Sequence, residues 1–176
     1  MRRAALLGAA IAVAGCGSKH AATTATTPAP PATIKLSSPA FTGGGAIPKR
    51  YACPRNVSLP LRWSGVPADT RELALEMIDV DAPGGSFLHW ALAGVPSQTT
   101  SIAAGDPVPA GAVAARNDFG NVGYGGPCPP AGKPHRYVIR LLALAARSGL
   151  KPGFSLGALQ SLRVLASGEL TGIYRR

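Results

Sequence analysis

Glycine and proline interrupt this chain from end to end, 22 of one and 17 of the other in 176 residues. Glycine opens positive φ to the backbone, while proline fixes φ and removes a hydrogen-bond donor, so each tends to end regular structure. They follow no three-residue period, which excludes a collagen-like rod, and their density disfavours a helical bundle. Short strands joined by tight connections remain, at a length that suits one domain. The segments between the breaks agree. In Glu72-Leu73-Ala74-Leu75-Glu76-Met77 the residues Leu73, Leu75 and Met77 share one face, with Glu72 and Glu76 on the other. Phe87 to Leu92 is apolar on both faces, as a central strand should be. His135 to Leu141 puts His135, Tyr137, Ile139 and Leu141 on one side, opposite Arg136 and Arg140. One helix is expected, capped by Ser155, with Leu156, Leu159, Leu162, Arg163 and Ala166 at helical spacing and Gly168 as its stop. A last strand, Leu170 to Tyr174, closes the domain. The expected class is mainly β: a sandwich of antiparallel sheets with a short C-terminal helix.

The formal charge is +10, from 18 Lys and Arg against 8 Asp and Glu. The basic residues are scattered, and aromatics make up only 6% with no base-stacking pattern among them, which argues against nucleic acid as the partner. Attraction to anionic lipid head groups is the better use of the charge.

The first residues read as an address. Met1-Arg2-Arg3 is a positive start, and Ala4 to Ala14 is an apolar segment too short to span a bilayer. It runs into Val13-Ala14-Gly15-Cys16, a bacterial lipobox: small residues for the peptidase, then a cysteine to carry lipid. Residues 1–15 are therefore expected to be a lipoprotein signal peptide. Cys16 is then the expected lipidation site of an exported bacterial lipoprotein, anchored on the extracytoplasmic side of a membrane. Residues 16–33 are rich in Thr, Ala and Pro and read as a tether, reaching up to ~50 Å if extended. Export leaves Cys53 and Cys128 as an even pair in an oxidising compartment. A disulfide and two separate buried thiols are both compatible with that count.

Chemistry concentrates around two histidines of the folded part. Asp79-Val80-Asp81-Ala82-Pro83-Gly84 precedes Phe87-Leu88-His89-Trp90. Gly126-Pro127-Cys128-Pro129-Pro130-Ala131-Gly132 precedes His135-Arg136-Tyr137. With these two signatures the sequence resembles the phosphatidylethanolamine-binding protein family, in its bacterial branch of YbhB- and YbcL-like proteins. The resemblance covers Ile34 to Tyr174, including Leu61-Arg62-Trp63-Ser64-Gly65-Val66-Pro67, Asn117-Asp118-Phe119-Gly120 and Leu170-Thr171-Gly172-Ile173-Tyr174. A family domain over residues 34–176 is thus expected. Two positions depart from the family pattern. Val80 replaces the usual proline of the acidic signature, and Arg55 stands where relatives carry an acid-glycine pair after the cysteine.

What the resemblance implies is a β-sandwich with a small anion-binding pocket at one end. Its lining carries over to Asp79, Asp81, His89, His135 and Tyr137, with Pro129 and Pro130 shaping the rim. Two imidazoles and a phenol offer donors to phosphate oxygens, and a carboxylate can fix a histidine tautomer or accept from an ammonium. The expected partners are an anionic small molecule or phospholipid head group, together with the membrane itself. A homodimer is a further expectation by resemblance. Two other functions stand beside non-catalytic binding. One is docking on an envelope kinase or protease as an inhibitor or regulator. The other is weak ester or phosphoester hydrolysis with a histidine as general base, against which no activated nucleophile accompanies the pair. No cofactor is expected: the glycine-rich stretches lack the G-K-[ST] of a nucleotide loop, and the histidines lack a metal-ligand spacing. No G-x-S-x-G elbow is present either.

Overall fold

The computed structural model describes residues 32–176, so the expected signal peptide, Cys16 and nearly all of the expected tether lie outside the described residues. Nine strands and one helix follow in order: β1 (Ala32–Thr33), β2 (Lys35–Ser37), β3 (Leu61–Ser64), β4 (Glu72–Asp79), β5 (Phe87–Val95), β6 (Ser101–Ile102), β7 (Val113–Ala114), β8 (His135–Leu144), α1 (Leu156–Gln160) and β9 (Val164–Tyr174). They form a six-stranded sheet, β1-β9-β8-β4-β5-β7, and a three-stranded sheet, β2-β3-β6. Every pairing is antiparallel except that of β1, which runs parallel to β9 with Ala32 opposite Ala166. Ala32 and Thr33, read from sequence as tether, thus belong to the sheet.

The period-two residues do what their spacing predicts on the inner face. Leu73, Leu75 and Met77 of β4 meet Tyr137, Ile139 and Leu141 of β8, and Leu61 and Trp63 of the small sheet close over them. The outer face carries Glu72 and Glu76, yet β4 is buried along its whole length. The segment carrying Phe154 and Leu159 covers that face and packs on Ala74, Ile78, Ala91 and Leu142. A buried carboxylate needs partners, and both have them. Glu72 accepts from the backbone N–H of Gly94 at 2.7 Å and of Ser148 at 3.0 Å. Glu76 accepts from Arg140 Nη1 at 3.1 Å and Gln160 Nε2 at 3.1 Å.

The helix is shorter than its spacing predicts. The Ser155 hydroxyl caps it by accepting from Ala158 N–H at 3.3 Å, but it ends at Gln160. Ala166 and Gly168 instead lie in β9, which starts at Val164 and not at Leu170. A ten-residue partner strand, β8, offers far more hydrogen bonds than one further helical turn could. Gly168 is required there for contact: a Cβ at that position would collide with the Ile34 carbonyl of the chain crossing β9.

Candidate ligand-binding site

Strand direction alone assembles the site. β4 ends at Asp79, opposite Phe87 at the start of β5 and Tyr137 near the start of β8. His135 pairs with Tyr174 at the end of β9. Signature residues from distant parts of the chain therefore meet at one end of the large sheet. The connections after β4 and before β8 fold over them, leaving a cavity of about 200 Å³. Asp79, His89, His135, Pro129 and Pro130 line it. Ala82, Pro83, Phe87, Phe119 and Cys128 complete the wall.

A β-bulge aims His89. Ile78 pairs with Leu88 and Met77 with Trp90, so His89 is the extra residue between two ladder positions. Two consecutive side chains thereby serve the same side of the sheet. Trp90 enters the core between the sheets and donates from Nε1 to the Pro107 carbonyl at 2.9 Å. His89 reaches the cavity wall, with its ring edge-to-face on Phe119 at 5.2 Å and on Tyr137 at 5.1 Å. Its Nδ1 lies 2.8 Å from the Gly125 carbonyl. A carbonyl only accepts, so Nδ1 carries the proton and Nε2 is the free nitrogen. Burial pushes the His89 pKa below 6.5, against the opposing pull of the Gly125 carbonyl and the Asp79 carboxylate. Burial thus favours the uncharged imidazole.

His135 is held differently. Its Nδ1 is 2.7 Å from Asp79 Oδ2, a buried pair with 10% and 4% of the side chains exposed. Asp79 Oδ1 also accepts from the Asp81 N–H at 2.9 Å, which closes the turn after β4. With Nδ1 engaged, Nε2 is again the free nitrogen. Both rings thus stand on the wall of one cavity with their tautomers fixed from behind.

Two residues expected in the lining are placed elsewhere. Asp81 turns outward to Arg136, taking its backbone N–H at 2.8 Å, Nε at 2.9 Å and Nη2 at 2.7 Å. That hydrogen bonding lowers the Asp81 pKa to about 2. Tyr137 lies fully buried behind His89, and its hydroxyl has no hydrogen-bond partner. Burial first, then the neighbouring Asp79 charge, raises its pKa. Tyr137 packs the ring that faces the cavity and does not itself line it.

Sequence reasoning missed the aromatic wall. Phe87 could have been found, since it lies two residues before His89 on the same strand. Phe119 could not, because an irregular loop places it. There the Asn117 carboxamide accepts from Phe119 N–H and Asn121 N–H at 3.1 Å each and donates to the Gly123 carbonyl at 3.0 Å. The rim is tied down covalently. Cys53 and Cys128 form a disulfide with Cα atoms 5.4 Å apart, and Gly126 N–H donates to Asn56 Oδ1 at 3.0 Å. A side chain at Gly126 would collide with the Tyr51 carbonyl, so the two segments approach as closely as backbone allows. Among the described residues, no three His, Cys, Asp or Glu side chains are grouped to hold a metal ion.

The chain is thus a two-sheet sandwich with a small histidine-lined cavity at one sheet end. Comparison with known proteins gives its family. The family model described as phosphatidylethanolamine-binding protein matches residues 37–175, and the chain belongs to that family. It is 41% identical over 152 residues to a UPF0098 protein of Methanothermobacter thermautotrophicus, covering 81% of this chain and 99% of the relative. It is 39% identical over 176 residues to LppC of Mycobacterium tuberculosis, named as a candidate lipoprotein, covering 90% of this chain and 87% of that protein. The crystal structure of Escherichia coli YbcL, described as a new member of the mammalian PEBP family, superposes with a TM-score of 0.76 at 30% identity. It covers 81% of this chain and 98% of that one.

Proposed function

We propose that the cavity binds a phosphate-type or other anionic head group without chemical conversion, in a domain held at a membrane by lipid on Cys16. One observation carries the reading. Two imidazoles, each with Nδ1 committed to a fixed acceptor, share the wall of one cavity. Once protonated, both Nε2 atoms donate charge-assisted hydrogen bonds to the same anion. The volume of about 200 Å³ lies below the ~300–1,000 Å³ of drug-sized pockets, which suits a head group and excludes its acyl chains. Asp79 and the aromatic wall complement an ammonium such as that of ethanolamine. Hydrolysis finds less support: the wall carries no serine or threonine, and its one cysteine is in the disulfide. The relatedness to a candidate lipoprotein supports the anchor.

The test is histidine side-chain NMR on the purified protein. Phosphate or phosphoethanolamine should shift both His89 and His135 with saturation. Absence of any shift at millimolar ligand rejects the binding reading. Turnover of a chromogenic ester that is lost in His135→Ala replaces it with hydrolysis, and specific capture of an envelope kinase or protease replaces it with docking.

A further inference from the structure

We propose that a hollow at the far end of the large sheet is a second binding site, which takes a small polyhydroxylated carboxylic acid. It lies at the Glu72 end of β4, roughly 23 Å from Asp79 and the first cavity at ~3.3 Å per strand residue. The hollow encloses about 440 Å³, more than twice the volume of the first cavity and within the ~300–1,000 Å³ of ligand pockets. Thr70, Arg71, Glu72, Ser97, Gln98 and Arg147 supply its polar groups. No aromatic side chain is among its lining residues, so polar contacts are left to hold a ligand.

The chain builds this hollow around a buried acid. Glu72 is 5% exposed. It accepts from Gly94 N–H at 2.7 Å, near the end of β5, and from Ser148 N–H at 3.0 Å, in the turn after β8. One carboxylate thus ties three segments together. It fixes the backbone beside both arginines, since Arg71 precedes Glu72 and Arg147 precedes Ser148. Arg71 N–H also donates to the Leu144 carbonyl at 3.0 Å, which joins two of these segments again. The remaining wall approaches as closely: a Cβ at Gly94 would lie 2.9 Å from the Gly111 carbonyl. The Pro96 carbonyl accepts from Thr99 N–H at 2.9 Å, closing the turn that presents Ser97 and Gln98. A frame held by backbone bonds loses little entropy when a ligand enters.

Charge then names the ligand. Arg71 and Arg147 are exposed, and neither is in an ion pair among the described residues. Glu72 is the one carboxylate in the lining, and its oxygens are engaged by backbone donors, so the hollow keeps a net positive charge. Asp69 adjoins Thr70 in the chain but is outside the lining and pairs with neither arginine. Two unpaired guanidiniums in one hollow fit a carboxylate, which accepts paired N–H bonds from such forks. The other groups suit hydroxyls. Ser97 and Gln98 offer donors and acceptors, and each Glu72 oxygen keeps a lone pair beyond its backbone bond. The Thr70 hydroxyl is buried with no hydrogen-bond partner, a cost that a ligand oxygen would offset. A bare carboxylate such as acetate would leave these groups unused.

The test is an NMR titration of the purified protein with D-glucuronate, read at the arginine Nε–H signals and the Gly94 and Gln98 amides. Glucuronate should shift them with saturation at millimolar concentration. Glucose lacks the carboxylate and acetate lacks the hydroxyls, and each should bind at least about tenfold more weakly. Arg71→Gln and Arg147→Gln should each weaken glucuronate binding at least about tenfold, through loss of a charge-assisted bond. Arg163 lies at the same end, where its carbonyl accepts from Ala145 N–H at 3.1 Å, but does not line the hollow. Arg163→Gln should therefore change binding less than about twofold. His135→Ala should leave it unchanged, so this site and the head-group cavity stand or fall separately. Absence of a saturable shift, equal binding of glucose, or an equal loss in Arg163→Gln overturns the proposal. So does an acidic peptide that moves these signals when glucuronate does not, which would make the hollow a contact for protein.

Discussion

If the cavity binds an anion as proposed, His89 should make its affinity depend on pH in a way that can be worked out from its surroundings. The free protein favours the neutral imidazole, because burial lowers its pKa below 6.5. An anion beside Nε2 favours the protonated ring and raises that pKa in the complex. Between the two values, binding takes up one proton. Affinity should then fall about tenfold per pH unit as pH rises, which is 1.36 kcal/mol per unit. Sulfate is the right probe, since its charge is constant where phosphate itself titrates. Calorimetry with sulfate from about pH 5 to 8.5 should show the decline, set mainly by the histidine range. His89→Gln keeps a polar side chain of similar reach and should remove the part of the slope that His89 carries. A flat wild-type profile, or an unchanged slope in the glutamine variant, would refute the reasoning.

The same shift has a stability consequence with the opposite sense. In the unfolded chain the ring protonates near 6.5, while in the folded one it does so only at lower pH. Acidification through that window therefore favours the unfolded chain, and the stability held above about pH 6.5 declines as pH falls. The His89→Gln variant should lose less stability than wild type between about pH 7 and 5. Saturating sulfate should restore wild type more at the lower pH.

Three further outcomes are expected. Replacing Cys53 and Cys128 by serine opens a loop spanning 75 positions, worth ~4 kcal/mol in the chain-entropy description. It should lower the melting temperature and weaken sulfate binding through the loosened Pro129 rim, and unchanged melting would contradict it. Arg140→Ala strands Glu76, whose side chain is 2% exposed, with only Gln160 as a side-chain partner. Urea unfolding should show a loss of about 2 kcal/mol, largely recovered when Glu76→Gln is added, with sulfate affinity unchanged throughout. Cys16→Ala should release the protein from the membrane fraction and abolish lipid labelling in cells; a variant that stays labelled rules out the lipobox.

The inner half of the sandwich was legible because alternation marks a strand that buries one side. The outer half was not. Glu72 and Glu76 carry the same polar pattern whether they meet water or, as here, donors supplied 22 to 84 residues away. Helical spacing after Ser155 misled for a related reason. A five-residue helix and a strand both accept Leu, Ala and Gly, and the long free edge of β8 decided between them. At the site, the signature motifs located Asp79, His89, His135 and the proline rim. Period two could not show that His89 sits in a bulge, nor that Arg136 draws Asp81 away. Tyr137 shares a strand face with His135, and only tertiary packing distinguishes a ring lining the cavity from one supporting it.

Where the chain joins the fold bears on how the site can be used. β1 lies parallel to β9 with Ala32 beside Ala166, whereas the cavity lies at the Tyr174 end of β9. The N-terminal attachment and the cavity mouth are therefore separated along β9 by roughly 25 Å, at ~3.3 Å per strand residue. A domain drawn straight out from a membrane by its N-terminus would turn the cavity away from that membrane. The segment between Cys16 and Ala32 is long enough to reverse this, since fifteen residues can span up to ~50 Å. A lipid on Cys16, as proposed, would therefore not prevent the cavity from facing the membrane that holds the anchor.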